Sequence, residues 1–350
     1  MEALAFYGIG DIRYEQKERP RLEKDDEVII RVKYAGICGS DLSRYKKLGP
    51  LTPGNIFGHE CSGVVEEAGS RVTNVQVGNR IAVCPQLKCG ECEACKSGFF
   101  AACPNLLVIG AKEPGGFASY TKVPAENVLK LPDNVSFQEA ALIEPSSVVL
   151  HGLFQTKLQP GKTVAVYGCG TIGLLACQWA KLFGAEKVVA IDIDSEKLQL
   201  AKELGADEII KPEKSVSTYS KLMELTDDNG VDLAIEAAGS IQTSEEVFAA
   251  PKKGGEVLFL GIPYSDITLK RFYFERIVRQ ELTVRGSWNA VSAPFPGREF
   301  TTTLQFLKEG KLRTKPMISH YLPLKEGPNI FQKITSGKEK AMKVLFEVGK

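Results

Sequence analysis

The stretch VYGCGTIG, Val166 to Gly173, closes a short apolar run and opens a helical pattern, TIGLLACQWAKLFG. Gly168, Gly170 and Gly173 fall at that junction in G-x-G-x-x-G spacing. The first glycine permits a tight turn, the second lets a backbone approach a pyrophosphate, and the third allows close helix–strand packing. The helix N-terminus adds unpaired N–H groups and the positive end of its dipole. The spacing alone is weak evidence, because an ordinary α/β protein can carry such a turn. A second feature supports it: the next apolar run, KVVAID, ends at Asp192, about twenty residues on, where a carboxylate can grip ribose hydroxyls. That carboxylate repels a 2′-phosphate, which favours NAD over NADP. Asp194 is the alternative if the strand ends later. The cofactor-binding set expected here is Gly168, Gly170, Thr171, Ile172, Gly173, Asp192 and Ile193.

The rhythm continues from Lys162 as strand, turn, helix: KVVAID, SEKLQLAKELG, DEII, VDLAIEAAG, GGEVLFLG and ELTVRGSW. Apolar strands alternating with amphipathic helices imply a parallel sheet covered on both faces, an α/β architecture. The first 150 or so residues differ. EVIIRVKYAGI, SGVVEEAG, NRIAVCP and FASYTKVP are β-type runs broken by Gly, Pro and Asn turns, so irregular β structure is expected. QEAALIEPSSVVLHGLFQT reads as a helix interrupted at Pro145. The tail holds a helix at REFTTTLQFLKEG and a last strand at KVLFEV. A chain of 350 residues exceeds one ordinary core, so two domains are expected.

Lys and Arg number 44 against 43 Asp and Glu, which removes any broad electrostatic case for nucleic acid or anionic lipid as a partner. The start, MEALAFYGIGDIRYE, lacks a basic segment followed by an apolar run, and no apolar stretch is of bilayer length. A cytoplasmic home is therefore expected. The nine cysteines are an odd number, and in a reducing compartment clustered thiols point to metal or catalysis. Cys61, Cys84, Cys169 and Cys177 are scattered and read as small buried hydrophobes.

Cys89, Cys92, Cys95 and Cys103 follow C-x2-C-x2-C-x7-C. Four thiolates satisfy zinc's tetrahedral preference and leave no open position, as a structural site requires. No strand–helix pattern lies beside them to suggest a redox CxxC. A closed site cannot polarise a substrate, so chemistry is sought elsewhere. Cys38 in GICGSD and His59 in FGHECSG lie among small residues, and Glu144 in IEP is a carboxylate within an apolar stretch. Thiolate, imidazole and carboxylate suit an open zinc site. Pattern alone does not separate that from unrelated structural roles.

GHECSGVVEEAGSRV fits G-H-E-x2-G-x5-G-x2-V, with Gly69 as the third glycine and Val72 as the valine. CGSD, the four-cysteine lobe, GGFASY, IEPSSVVLHG and GCGTIG accompany it. In these motifs and their order the chain resembles the medium-chain zinc-dependent alcohol/polyol dehydrogenase family over essentially its whole length. The resemblance implies a GroES-like β-rich catalytic domain, split into 1–152 and 289–350, around a doubly wound Rossmann NAD-binding domain at 153–288. It implies two Zn2+ per chain: catalytic zinc on Cys38, His59 and Glu144, and structural zinc on the four-cysteine lobe. It further implies that Glu60 is close enough to exchange with a ligand or to act from outside the ligand set, and Ser40 matches the hydroxyl that passes on the substrate proton. A small-molecule polyol or polyol phosphate as substrate and a homo-oligomer, dimer or tetramer, follow from the same likeness.

Two departures stand out. Ser43 occupies a position where many relatives carry histidine, so the outer proton relay differs, and Asn79 in GNRI replaces the usual aspartate of a turn. GSWNAVSAPFPGREF, Gly286 to Phe300, resembles a subgroup acting on polyol phosphates. Substrate contacts are expected from Arg44, Lys46, Lys47, Trp288 and Asn289, with Arg298 and Tyr45 as further candidates. His151 and His320 read as structural. GGEVLFLG, placed near a sheet edge, suggests self-association. A non-catalytic NAD-binding redox sensor is the reading from another class; loss of Cys38 or His59 would mark it, and both are present.

Overall fold

In the computed structural model, which describes residues 1–213 and 217–349, the apolar runs after Lys162 become one parallel sheet. Its strands are Thr163–Tyr167, Lys187–Ile191, Glu208–Ile210, Val231–Glu236, Pro251–Phe259 and Thr283–Gly286. In space they run third, second, first, fourth, fifth, sixth, and every neighbouring pair is parallel. The order reverses between the first and fourth strands, the switch point at which such sheets leave a crevice. Val164, Ala165, Val166, Val188, Val189 and Ala190 are fully buried, which is why these strands are apolar on both faces. The sheet belongs to a unit spanning Val148–Asn289.

GGEVLFLG contributes the second half of the fifth strand, near the sheet edge as expected but one strand in from it. Thr283–Gly286 forms the edge, because it pairs with the fifth strand along Glu256–Phe259.

Met1–Ser147 and Ala290–Lys350 form the other unit. Its main sheet runs Val128–Lys130, Arg80–Val83, Glu60–Ala68, Glu27–Gly36, Lys343–Glu347 and Ile318–Pro323, with Tyr120–Pro124 also paired to Glu27–Gly36. Strands from both ends of the chain thus share one ladder. The sequence pattern identifies Lys343–Glu347 but not Ile318–Pro323, whose half-exposed edge position leaves only a weak alternation. Phe6, Phe57, Phe117, Phe331 and Phe346 fill the core, and the Phe6 and Phe57 rings stack at 4.0 Å. Each such ring contributes about 1.5–3 kcal/mol by leaving water, so the C-terminal segment is integral to this unit.

Pro145 does not interrupt a helix. The helices are Phe137–Ala140 and Ile143–Leu153, so the break falls before Pro145, which sits in the first turn of the second. There the missing N–H has no helical partner to lose. Ser136 and Glu139 close a capping box on the first helix, with N–H to side-chain distances of 3.3 and 3.0 Å. Among the described residues no helix is long and apolar enough to cross a membrane.

Candidate active site

The strand Glu27–Gly36 runs through Ile37 into a short helix, Gly39–Ser43, with Cys38 at its N-cap. Asp41 Oδ2 accepts from the Cys38 backbone N–H at 3.0 Å and fixes the cap. Ser40 is half-buried on the same turn. Across the ladder Gly36 faces Glu60, and this register carries His59 and Glu60 to Cys38. Gly58, at φ +99°, makes the approach possible, since a Cβ there would lie 2.5 Å from the Phe117 ring. The donor atoms of Cys38, His59 and Glu60 all lie within 4.8 Å of one another.

Around these donors is a cluster of charge almost without water. Asp41, Glu60 and Lys343 are 1–2% exposed, His59 8% and Glu144 7%. Lys343 Nζ donates to Glu60 Oε2 at 2.5 Å and to the Ile37 carbonyl at 2.8 Å. Burial pushes the Asp41 carboxyl up to about 6 and that of Glu144 up to about 7, against the pull of His59 on both. Burial works against a charged His59, yet the Cys38 thiolate and Asp41 outweigh it and hold the imidazole well above its ordinary range. The cluster therefore sets four potential anions, Cys38, Asp41, Glu60 and Glu144, against one lysine and one histidine.

Each ion withdrawn from water costs several kcal/mol unless matched. A divalent cation among these donors would supply the match. His59 Nδ1 is buried without a hydrogen-bond partner, and the nearest oxygen of Asp41 stands 3.8 Å away, beyond hydrogen-bond range. Thiol, imidazole and carboxylate are the donors zinc takes, so the residues present fit that metal. Glu144 is not among the donors within 4.8 Å of one another, although its charge is felt by His59 and Lys343. Sequence reasoning missed Lys343, because one lysine beside an apolar run looks like any strand terminus. Asp41 passed unnoticed inside CGSD.

The four-cysteine loop gathers Cys89, Cys92, Cys95 and Cys103 with sulfurs within 4.8 Å of one another. Cys89 Sγ lies 3.8 Å from Cys95 Sγ and 3.5 Å from Cys103 Sγ, and no cysteine is in a disulfide. Four sulfurs about 2.3 Å from a tetrahedral zinc stand about 3.8 Å apart, so the spacing fits. Backbone N–H groups of Glu91 and Cys92 draw the Cys89 thiol down to about 6, while burial pushes Cys95 up to about 12. The lobe packs on Val291 and half-buried Phe295, and Gly98 leaves no room for a methyl beside Ala293. Much of the SAPFPG segment is thereby explained by lobe packing.

In the parallel-sheet unit the three glycines divide their duties. Gly168, at φ +94°, packs so closely that a Cβ would sit 2.6 Å from that of Ala238, and one on Gly173 would sit 1.7 Å from the Gly168 carbonyl oxygen. Gly170 is different: its φ of −71° is ordinary, and a Cβ there would meet nothing within 4 Å. The protein itself does not require glycine at 170; the open space at the N-cap of Thr171–Leu182 fits a pyrophosphate. Asp192 accepts from the N–H groups of Cys169 at 2.6 Å and Asp194 at 2.8 Å, which places its carboxylate beside the glycine turn. Asp194 caps the helix Ser195–Glu203 through the Glu196 N–H. Ile193 is 79% exposed.

The remaining candidates separate by burial. Tyr45 is buried in the aromatic core, 5.5 Å from the Phe331 ring, so it packs instead of walling a cleft. Arg44 donates to the Gly49 carbonyl at 3.1 Å, while Lys46, Lys47 and Arg298 are exposed. Trp288 is exposed, and Asn289 sits at φ +60° with its Nδ2 buried and unpartnered. His320 lies 3.4 Å from Glu339 and 2.8 Å from the Ser319 hydroxyl, and His151 is half-buried in its helix. Cys61, Cys84, Cys169 and Cys177 are all buried. Asn79 Oδ1 accepts from the Gln76 N–H and shapes only its turn.

A parallel sheet with a glycine-rich switch-point turn, a thiol–imidazole–carboxylate cluster and a four-thiol lobe together define a zinc-dependent dehydrogenase. The alcohol dehydrogenase GroES-like domain model matches residues 24–133, and the zinc-binding dehydrogenase model matches residues 171–309. Galactitol 1-phosphate 5-dehydrogenase of Escherichia coli strain K12 is 37% identical over 313 residues, 89% of this chain and 90% of that one. Sorbitol dehydrogenase of Bacillus subtilis strain 168 is 33% identical over 350 residues, 99% of this chain and 96% of that one. The crystal structure of galactitol-1-phosphate dehydrogenase from Escherichia coli superposes with a TM-score of 0.93 at 34% identity, covering 99% of this chain and all of that one. The chain belongs to the medium-chain zinc-dependent alcohol dehydrogenase family. It is a zinc-dependent polyol dehydrogenase that uses a nicotinamide cofactor.

Proposed function

We propose that this chain oxidises a secondary alcohol of a polyol phosphate, galactitol 1-phosphate to D-tagatose 6-phosphate, with NAD as acceptor. The observation that carries the chemistry is the buried donor cluster whose negative charge exceeds what Lys343 balances. The likeness to galactitol 1-phosphate dehydrogenases in sequence and in structure supports the substrate. Cys38, His59 and Glu144 would hold one zinc and the four lobe cysteines a second. Zinc bound at the first site supplies Lewis acidity that lowers the pKa of the substrate hydroxyl. Ser40 accepts the hydroxyl proton, and with Ser43 further along, the outer route runs through water or the cofactor ribose. A nicotinamide cofactor held at the Gly168–Gly173 turn and Asp192 would supply the hydride acceptor for that same carbon, which becomes a ketone.

The N–H groups at Gly170 to Gly173 would hold a pyrophosphate, and Asp192 would hold a ribose and disfavour a 2′-phosphate. Arg44, Lys46 and Lys47 offer the substrate phosphate a remote handle whose binding energy positions the polyol. Trp288 and Asn289 are further candidates for substrate contact, since Val291 and Phe295 are accounted for by the lobe.

The sorbitol dehydrogenase matched over 99% of this chain favours a second reading, an unphosphorylated polyol. A screen of galactitol 1-phosphate, galactitol, sorbitol, xylitol and L-threonine with NAD and NADP separates the two. The phosphate ester should exceed galactitol in kcat/KM by at least about tenfold, the worth of about 1.4 kcal/mol. Equal rates on both would sink the phosphate claim.

A homo-oligomer is supported by the edge strand Thr283–Gly286 and the helix Arg271–Arg279, which buries none of its residues. Val284, Phe272, Phe274 and Val278 are exposed there, and an open strand edge invites pairing with a second copy. Nine free cysteines support a reducing, cytoplasmic setting.

A further inference from the structure

Glu236 closes the fourth strand of the parallel sheet, opposite Tyr167 of the first strand and Phe259 of the fifth. Its side chain is fully buried and ties down the loop that follows. Oε1 accepts from the Ala238 and Gly239 N–H groups at 3.0 Å each and from the Thr243 hydroxyl at 2.6 Å. The Glu236 carbonyl accepts from the N–H groups of Leu260 at 2.9 Å and Gly261 at 3.0 Å, which draws in the loop after the fifth strand. Oε2 fills the space where a Cβ on Gly261 would fall. The wall so shaped is the one Gly168 of the nucleotide turn packs against, through Ala238. All the groups bonded to the carboxylate are donors, as its ionised form requires, and all are neutral. Among the described residues Glu236 makes no ion pair. Burial raises its carboxyl above the ordinary value, and the hydroxyl and N–H groups draw it back only in part.

The loop itself needs only one oxygen at this place. An amide would accept the bonds at Oε1 equally well, and Oε2 adds a longer contact of 3.2 Å to the Gly239 N–H. The charge therefore exceeds what the loop requires. A buried anion without a cation gains from a positive charge brought near it, because little water lies between to screen the attraction. A nicotinamide ring offers that charge in one redox state only: it is cationic when oxidised and neutral once it has taken a hydride. Asp192, just past the second strand, would hold a ribose on one side of the glycine turn. A dinucleotide crossing that turn at the switch point continues over the fourth strand, on the side of Glu236. We propose that Glu236 is a buried anion that makes the site prefer the oxidised, cationic nicotinamide to the reduced, neutral one, an inference that rests on the dinucleotide reading above. Its field favours loading with the oxidised cofactor and release of the reduced one.

Glu236→Gln keeps the oxygen that accepts from Ala238, Gly239 and Thr243 and removes the charge. Dissociation constants for NAD+, NADH and ADP-ribose, titrated without substrate, separate charge from shape. In the variant NAD+ should bind at least about fivefold more weakly, while NADH and ADP-ribose stay within about twofold of the parent. The inference is overturned if NAD+ and NADH weaken together, which would make Glu236 a prop for its loop, or if neither changes. Glu236→Asp retains the charge, so its ratio of NAD+ to NADH affinity should stay within about twofold of the parent, even where both bind more weakly. Should Glu236→Gln not fold, that ratio still decides, since a larger shift with the charge in place overturns the inference. A parent protein that binds neither NADH nor ADP-ribose would refute the dinucleotide reading itself, and this inference with it.

Discussion

Gly36 and Glu60 face each other on neighbouring strands, and a Cβ on Gly36 would lie 2.4 Å from Glu60 Oε2. The backbone at Gly36 is not in the left-handed region, so its requirement for glycine is one of space. Gly36→Ala must displace the carboxylate or the Leu345 side chain, which stands 3.3 Å away. Overpacking of this kind costs about 1–3 kcal/mol, and displacing Glu60 also strips Lys343 of a partner. The variant should melt several degrees lower and lose metal from the Cys38 site while keeping it in the cysteine lobe. Calorimetry with metal analysis on one sample checks both.

Two glycines of the nucleotide turn should fail in opposite ways. Gly170→Ala adds a methyl to open space at an ordinary φ, so the thermal midpoint should hold while the KM for the dinucleotide rises by about tenfold or more. Gly173→Ala drives a methyl to 1.7 Å from a backbone oxygen, so it should cost stability before affinity can be measured. A Gly170→Ala protein with parental cofactor affinity would remove the pyrophosphate from that cradle.

How far each residue could be read ahead follows from the range of the interactions that place it. The parallel-sheet unit was legible because its strands, caps and glycine turn are local in sequence, each within one strand–turn–helix step. The cysteine lobe was legible for the same reason, with all four thiols inside 15 residues, Cys89 to Cys103. Lys343 was not, because its meaning depends on a partner 283 residues away. Pro145 misled because a proline reads as a breaker until the helix start is known. Tyr45 misled because its role is set by Phe6 and Phe331, far off in sequence. The Trp-Asn-to-Pro-Gly segment mixes two signals, lobe packing and exposed polar reach, which the sequence cannot separate.

Phe295 should behave as part of the lobe. It packs with Phe100, 6.3 Å between ring centres, and the Lys88 ammonium stands 4.5 Å from its ring. Phe295→Ala should cost less than the roughly 3–5 kcal/mol of a fully buried phenylalanine, because it is only half-buried. Metal held by the four cysteines should then pass to a chelator faster, with the visible bands of cobalt substituted at the Cys38 site unchanged. A change in those bands would argue that the two sites are coupled.

The open sheet edge yields a prediction on assembly. Val284→Pro removes one backbone donor from the edge strand, and Phe274→Asp puts a charge among the exposed apolar residues of the helix Arg271–Arg279. Light scattering should show each variant at lower mass than the parent at equal concentration. Unchanged mass in both would move the contact elsewhere.

The pH dependence of stability should reverse when metal is bound. Asp41 and Glu144 have folded values of about 6 and about 7, against ordinary values of 3.8 and 4.5. Without metal, the folded protein keeps protons on them that the unfolded chain has released, so stability falls as pH rises across that window. For Glu144 alone the span from 4.5 to about 7 amounts to roughly 3 kcal/mol. His59, raised above its ordinary value, acts in the same direction: its contribution is full below about 6.5 and is lost as pH climbs through its folded value. The metal-free protein should therefore melt progressively lower from about pH 5 to pH 8, a range in which exposed carboxylates are already ionised. Zinc favours ionised carboxylates and a neutral imidazole, so the loaded protein should lose that slope or show the opposite one. Parallel slopes with and without zinc would separate this cluster from the metal.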